Sequence, residues 1–271
     1  MRLTRVLAAL AALPLALLPV TSGSAAPPSP ATYLALGDSV AAGVGAPAGL
    51  GYVSLLAGDL AEARHCGQGQ AVGCRIELDN RAVGGATTVS LVSGQLPGAV
   101  ELLEDRNGNS TPVDDVRLIT ITIGGNDVFN PVIAACAGGF SATCQTTVAT
   151  QFAQVSSNYA TILGRLREAA GPETTIAVMT YYNPLPACRY ASLTPLADLV
   201  LEGGGPLPSG LNDIIRQQAA AFGAVVVEGS VVDSSEVQPD CLHPNTAGHA
   251  DIADAFAAAV TDSVAGGPGG R

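Results

Sequence analysis

The sequence predicts an α/β protein, a three-layer sandwich with a parallel sheet at its centre. Three observations carry this: short β-branched runs alternate with helical stretches, each run is apolar enough for burial on both faces of a sheet, and no Pro- or Ser-rich linker divides the 271 residues. The strands expected in order are Thr32 to Leu36, Arg75 to Asn80, Val116 to Ile123, Thr174 to Tyr181 and Ala224 to Val227. Between and after them fall helices at Tyr52 to Arg64, Pro97 to Leu103, Ala149 to Ala170, Leu211 to Phe222 and Thr246 to Val264. Residues 26–264 therefore read as one domain, with no internal repeats, and 265–271 as a flexible Gly-rich tail.

Composition narrows what such a domain can bind. With 48% hydrophobic and 13% charged residues the chain is a folded protein rather than a disordered one. Twelve Arg and no Lys against 23 acidic residues, a net charge of −11, exclude a basic nucleic-acid groove or a cationic membrane patch. Neutral or apolar ligands fit this balance. Aromatic residues are only 4% and Trp is absent, so the core is aliphatic and stacking platforms for sugars or bases are poorly supplied.

The first 25 residues read as a secretory signal peptide: Arg2 and Arg5, then an apolar run from Val6 to Val20, then the small-residue exit Gly23-Ser24-Ala25. The run is shorter than the ~20 apolar residues of a spanning helix, and Pro14 interrupts it. Loss of the two arginines leaves the mature chain at −13. The expectation is a secreted, extracellular product without stable membrane insertion, acting as a monomer.

Export favours pairing of the six cysteines, for which 15 connectivities exist and sequence alone does not choose. Their spacing suggests Cys66–Cys74, Cys136–Cys144 and Cys188–Cys241. The last would close a loop of about 54 residues, worth about 4 kcal/mol on the chain-entropy account. No C-x-x-C occurs and only three His are present, which argues against zinc.

Chemistry-bearing residues collect where the expected strands end. The first strand runs into Gly37-Asp38-Ser39, which sets a serine at the carboxyl edge of the sheet, where open α/β folds gather their reacting groups. After the second comes Gly84-Gly85, and after the third Gly124-Gly125-Asn126-Asp127, supplying backbone N–H groups and a side-chain amide suited to holding an oxyanion. After the fifth comes Asp240-Cys241-Leu242-His243. A carboxylate three residues before an imidazole reaches its Nδ1–H and leaves Nε2 free to take a serine proton.

With these four blocks in this order the chain resembles the SGNH (GDSL-type) hydrolases: Gly37-Asp38-Ser39 matches the first block, Gly85 the second, G-x-N-D at 124–127 the third and D-x-x-H at 240–243 the last. The resemblance spans nearly the whole mature chain, with Val40 in place of a common Leu. It implies a flavodoxin-like α/β/α sandwich of about five parallel strands, with Ser39 as nucleophile, His243 as base and Asp240 as its orienter. The implied oxyanion hole comprises the Ser39 and Gly85 N–H groups and Asn126. Secreted actinobacterial lipases and esterases of the family are more similar still, including three successive disulfides. The expected activity is two-step hydrolysis of carboxylic acyl esters, small or lipidic, without metal or organic cofactor. A carbohydrate acetyl esterase, or a binding protein that keeps the fold but not turnover, is the alternative.

Other residues take quieter readings. His249, on the last helix, reads as a helix-surface residue, His65 as a loop residue, and Asp38 and Asp127 as hydrogen-bonding the turns around them. The segment 105–115 has oxygen ligands enough for calcium but lacks the EF-hand pattern and reads as an exposed turn.

Overall fold

The computed structural model describes residues 31–63, 76–111 and 114–265. The expected signal peptide, His65 and the Cys66–Cys74 pair lie outside these residues, as does the tail beyond Ala265. Five strands form the sheet: β1 (Ala31–Gly37), β2 (Ile76–Asn80), β3 (Val116–Thr122), β4 (Thr175–Met179) and β5 (Val225–Val227). All pair in parallel in the order β2-β1-β3-β4-β5. This is the flavodoxin-like order, whose direction reverses between β1 and β3.

The helices are α1 (Tyr52–Ala63), α2 (Thr88–Ser90), α3 (Leu96–Arg106), α4 (Gly125–Cys136), α5 (Ala142–Ala170), α6 (Thr194–Glu202), α7 (Leu211–Ala221) and α8 (Thr246–Ala265). A π-helical turn over Leu91–Gln95 joins α2 to α3. Helices α3 to α7 cover one face of the sheet, against Leu34, Leu36, Ile119 and Ile121, while α1 and α8 cover the other, against Tyr33, Ala35, Leu118 and Met179. The second face of β3 presents two buried threonines, each satisfied by a buried phenol: Thr120 bonds the Tyr33 hydroxyl and Thr122 the Tyr52 hydroxyl, both at 2.8 Å. A strand that looks half polar is thereby buried throughout without leaving those hydroxyls unpaired.

Helix α5 starts seven residues earlier than expected, because Ser141 caps it by accepting from the Cys144 N–H at 3.2 Å. Three helices go beyond the sequence expectation: the single turn α2 and the longer α4 and α6. Helix α4 opens on Gly-Asn-Asp and contains Pro131, signals that locally favour a turn. Burial of Val128 and Val132 in the core outweighs them. Helix α6 has Pro in its first turn and buries Ala197, Val200 and Leu201. A Cys136–Cys144 disulfide ties the end of α4 to the first turn of α5.

Candidate active site

Ser39 sits just past β1 and Asn126 in the first turn of α4 just past β3, the two connections that flank the reversal in strand order. Only glycine fits before the serine turn: Gly37 has φ of +141°, and a Cβ there would lie 2.3 Å from the Thr122 carbonyl oxygen. Gln95, in the π-turn, clamps Gly37 from both sides. Its Oε1 accepts from the Gly37 N–H and its Nε2 donates to the Gly37 carbonyl, each at 2.8 Å.

His243 Nε2 lies 2.8 Å from Ser39 Oγ, and its Nδ1 lies 2.6 Å from Asp240 Oδ2. The other Asp240 oxygen accepts the N–H groups of Leu242 at 2.9 Å and His243 at 3.1 Å. Burial raises the Asp240 pKa, but the hydrogen bonds from His243 and Leu242 together outweigh it, and the carboxyl is held below its ordinary value. The turn requires left-handed backbone at Cys241, φ +64°, an uncommon conformation for a residue with a Cβ. Several bonds hold it: the Tyr182 hydroxyl donates to the Leu242 carbonyl at 2.7 Å, the Gln238 N–H to the His243 carbonyl at 2.7 Å, and Gln238 Nε2 to the Gly45 carbonyl at 2.6 Å.

The structure thus brings Ser39, His243, Asp240 and Asn126 to one place. Ser39, Asn126 and His243 line a shallow cleft, open to solvent, whose remaining walls include Phe129, Tyr182, Pro184 and Leu242. Asn126 Nδ2 donates one bond to the Ala86 carbonyl at 2.9 Å, and a primary amide has a second N–H to offer. Gly85, on the neighbouring turn with φ +78°, is exposed and does not line this cleft. Asp127 accepts from the Thr88 N–H at 2.8 Å and the Thr88 hydroxyl at 2.6 Å, so the turn after β3 is tied to the turn after β2.

Asp38 is 2% exposed and forms part of the cleft wall. Its Oδ1 accepts from the Val40 N–H at 2.9 Å and its Oδ2 from the Tyr181 hydroxyl. Burial pushes its pKa up to about 6, against the lowering effect of these bonds and of nearby His243. Tyr181 is itself clamped, since Asn212 accepts from its N–H and donates to its carbonyl, both at 2.8 Å. Gln95, Tyr181 and Asn212 are functional-site residues that sequence reasoning missed. None stands in a motif, and each reaches its partner across 31 to 143 residues of chain.

His249 corrects its sequence reading: it is fully buried rather than on the helix surface. Its Nδ1 accepts from the Tyr52 N–H at 3.3 Å and its Nε2 donates to the Val44 carbonyl at 3.0 Å, which assigns a neutral tautomer. Burial lowers its pKa and keeps it neutral, tying α8 to the loop that follows Ser39. Cys188 and Cys241 are both free thiols that pack in one small cluster, without the bond expected between them. Among the described residues no group of His, Cys, Asp and Glu is arranged to hold a metal ion.

A model of the GDSL-like lipase/acylhydrolase family matches residues 35–250. Among solved structures the chain is similar to the lipase Lip_vut3 from a goat rumen metagenome, with TM-score 0.59 and 19% identity over 84% of this chain and 96% of that one. It is similar also to TesA, with TM-score 0.54 and 18% identity over 86% and 99%. A third is Axe2, an acetylxylan esterase from Geobacillus stearothermophilus, with TM-score 0.51 and 15% identity over 88% and 95%. Comparison with curated proteins finds no match.

Proposed function

This chain belongs to the GDSL-like lipase/acylhydrolase family, and on that premise we propose that it is an exported serine esterase that hydrolyses carboxylic acyl esters through an acyl-enzyme. The observation that carries the reading is the continuous relay from Ser39 Oγ to His243 Nε2 at 2.8 Å and from His243 Nδ1 to Asp240 at 2.6 Å, opening on a mostly apolar cleft. Ser39 Oγ attacks the ester carbonyl as His243 Nε2 takes its proton, and Asp240 holds the imidazolium that forms. The oxyanion is held by the free N–H of the Asn126 amide and the Ser39 N–H, with the Gly85 N–H, on the neighbouring exposed turn, as the third donor. The alcohol departs with the proton returned by His243. Water, deprotonated by the same imidazole, then attacks the acyl-enzyme and releases the acid. Phe129, Pro184 and Leu242 favour an acyl chain over a sugar in the cleft. Export rests on the charged, apolar and small-residue pattern of residues 1–25. Among the described residues no helix is long and apolar enough to cross a membrane.

The test is initial-rate hydrolysis of 4-nitrophenyl esters from acetyl to palmitoyl. Turnover of at least one chain length supports the reading, and turnover of none overturns it.

Asp38 gives a second prediction. Its buried carboxylate lies near the imidazolium formed at His243, so Asp38→Asn is expected to lower kcat on the order of tenfold through loss of that charge. The same change removes the cost of burying an anion while leaving an acceptor for Val40 and a partner for Tyr181. A folded pKa of about 6, above the unfolded value of 3.8, means that the native state takes up a proton between those values while the unfolded chain does not. Ionised Asp38 therefore costs stability above pH 6, and that cost disappears as pH falls towards 4. Urea unfolding is expected to show Asp38→Asn more stable by about 1–2 kcal/mol at pH 8, with the gain gone near pH 4. An equal effect at both pH values would place its cause elsewhere.

We propose further that Cys188 and Cys241 pair in an oxidising compartment. Cys241 lies inside the Asp240–His243 turn and packs with Leu185 and Ala197, so a bridge there restrains the loop carrying the base. Thiol titration of the denatured exported protein is expected to find neither cysteine free, and reduction to lower turnover severalfold rather than abolish it, because Tyr182 and Gln238 still hold the turn. Full activity with all thiols titratable would uncouple the bridge from catalysis.

A further inference from the structure

We propose that Tyr181 is a positioning residue for the hydrolysis, whose hydroxyl holds the Asp38 carboxylate beside His243 and whose ring braces the turn carrying Asn126, an inference that rests on the esterase reading of Ser39. Tyr181 follows the last residue of β4 by two positions, which brings it to the sheet edge where the turns after β1 and β3 lie. Its hydroxyl donates to Asp38 Oδ2, on the residue before the nucleophile. Its ring lies against Gly125, the residue before the amide: a Cβ there would stand 2.7 Å from ring carbon Cε1. One side chain therefore touches both the serine turn and the amide turn, and it forms part of the cleft wall.

A phenol packed in the core needs a partner, but a neutral one serves. Tyr33 and Tyr52 pair with threonines, and Tyr159 and Tyr182 donate to backbone carbonyls. Tyr181 differs from these four in bonding a carboxylate, and its own main chain is anchored from behind. Asn212, which grips the Tyr181 N–H and carbonyl, also donates to Glu202 at 2.5 Å. Arg216 holds Glu202 at 3.2 Å and Glu228 at 2.8 Å, and Glu228 accepts from the Thr180 hydroxyl at 2.9 Å. Anchoring on both Thr180 and Tyr181 leaves the hydroxyl little freedom to turn away from Asp38.

The bond acts on the charge of Asp38. A hydroxyl donated to a carboxylate favours its ionised form, and at Asp38 this works against burial. The other titratable groups facing Asp38 come from four elements. His243, before α8, favours the carboxylate, and Asp127 of α4 opposes it. The phenols of Tyr52 from α1, Tyr159 from α5 and Tyr182 beside Tyr181 are near it without bonding it. Without the Tyr181 hydroxyl, Asp38 titrates higher and less of it is ionised to support the imidazolium near neutral pH.

The experiment measures kcat and KM for a 4-nitrophenyl ester from pH 5 to 9 in the wild type, Tyr181→Phe, Asp38→Asn and the double variant. Tyr181→Phe is expected to lower kcat roughly three- to fivefold at pH 6.5 with KM little changed, and to approach the wild type at pH 9, where Asp38 is ionised in both. In the Asp38→Asn background the same change is expected to cost less than about 1.5-fold, since its target is gone. A loss equal at every pH, or equal in the two backgrounds, overturns the proposal and leaves Tyr181 a structural residue. Tyr181→3-fluorotyrosine keeps both ring and hydroxyl, and with them the fold. Its more acidic phenol is expected to move the acid limb of kcat to lower pH, and an unmoved limb counts against the proposal. A wild type inactive at every pH overturns the esterase reading instead. Carbon-13 titration of the Asp38 carboxyl then decides the role of Tyr181 without turnover. A midpoint raised in Tyr181→Phe by about one pH unit or more above the wild-type value of about 6 supports it, and an unchanged midpoint overturns it.

Discussion

Ser39→Ala is expected to reduce ester hydrolysis by on the order of 10⁴-fold or more in kcat, with the fold retained. The size of the loss follows from the chemistry. Without Oγ no acyl-enzyme forms, and His243 and Asp240 have no hydroxyl to activate, so what remains is binding and oxyanion stabilisation of a direct attack by water. The fold is expected to survive because the substitution removes one small polar group at the edge of an open cleft, while Gln95 continues to hold Gly37. Three measurements on one preparation check this: the initial rate on a 4-nitrophenyl ester, the rapid release of 4-nitrophenol that accompanies acylation, and the thermal midpoint. A normal midpoint with no burst and no steady rate is the expected result. A retained burst would move the nucleophile to another residue and take the relay through His243 with it.

Asn126→Ala is expected to lower kcat by 100- to 1,000-fold with KM little changed, the pattern of a donor whose bond tightens only as the oxyanion develops. Asn126 also has a structural bond, from Nδ2 to the Ala86 carbonyl at 2.9 Å. Its loss predicts a separate and modest decrease in stability, on the order of 1 kcal/mol. The two effects come apart because stability is measured without substrate. A fall in kcat below tenfold, accompanied by a clear loss of stability, would make Asn126 a strut between the turns after β2 and β3.

Strands β1, β3 and β4 were legible in the sequence because a strand buried on both faces must be a continuous apolar, β-branched run, and such a run is a local property; the edge strand β2, Ile-Glu-Leu-Asp-Asn, has no fully buried residue, and the edge strand β5 is only partly buried. β3 shows the limit of that rule. Thr120 and Thr122 look polar, yet they lie in the core because Tyr33 and Tyr52, far away in sequence, supply their partners. Helix α4 was hidden for the opposite reason. Its local signals, two glycines, Asn-Asp and an internal proline, describe a turn, and only the buried contacts of Val128 and Val132 make it a helix. His249 was misread because one helix face cannot be told from another by an isolated histidine, whose burial depends on Val44 and Tyr52 arriving from the other end of the chain.

The same division runs through the site. Sequence by itself determined the strand order along the chain, the family, and the short motifs that place a serine, an amide and an Asp–His pair at strand ends, because each is encoded within a few consecutive residues. Tertiary structure alone decided that these ends meet at the reversal between β1 and β3 and that Gln95 and Asn212 clamp Gly37 and Tyr181. It decided too that Asp38 is buried beside His243 in the wall of the cleft. The physical reason is common to all of them. Periodicity and motifs report what a residue does with its near neighbours, whereas burial, clamps and cavities are made by side chains from distant segments, and only the packed chain brings those together.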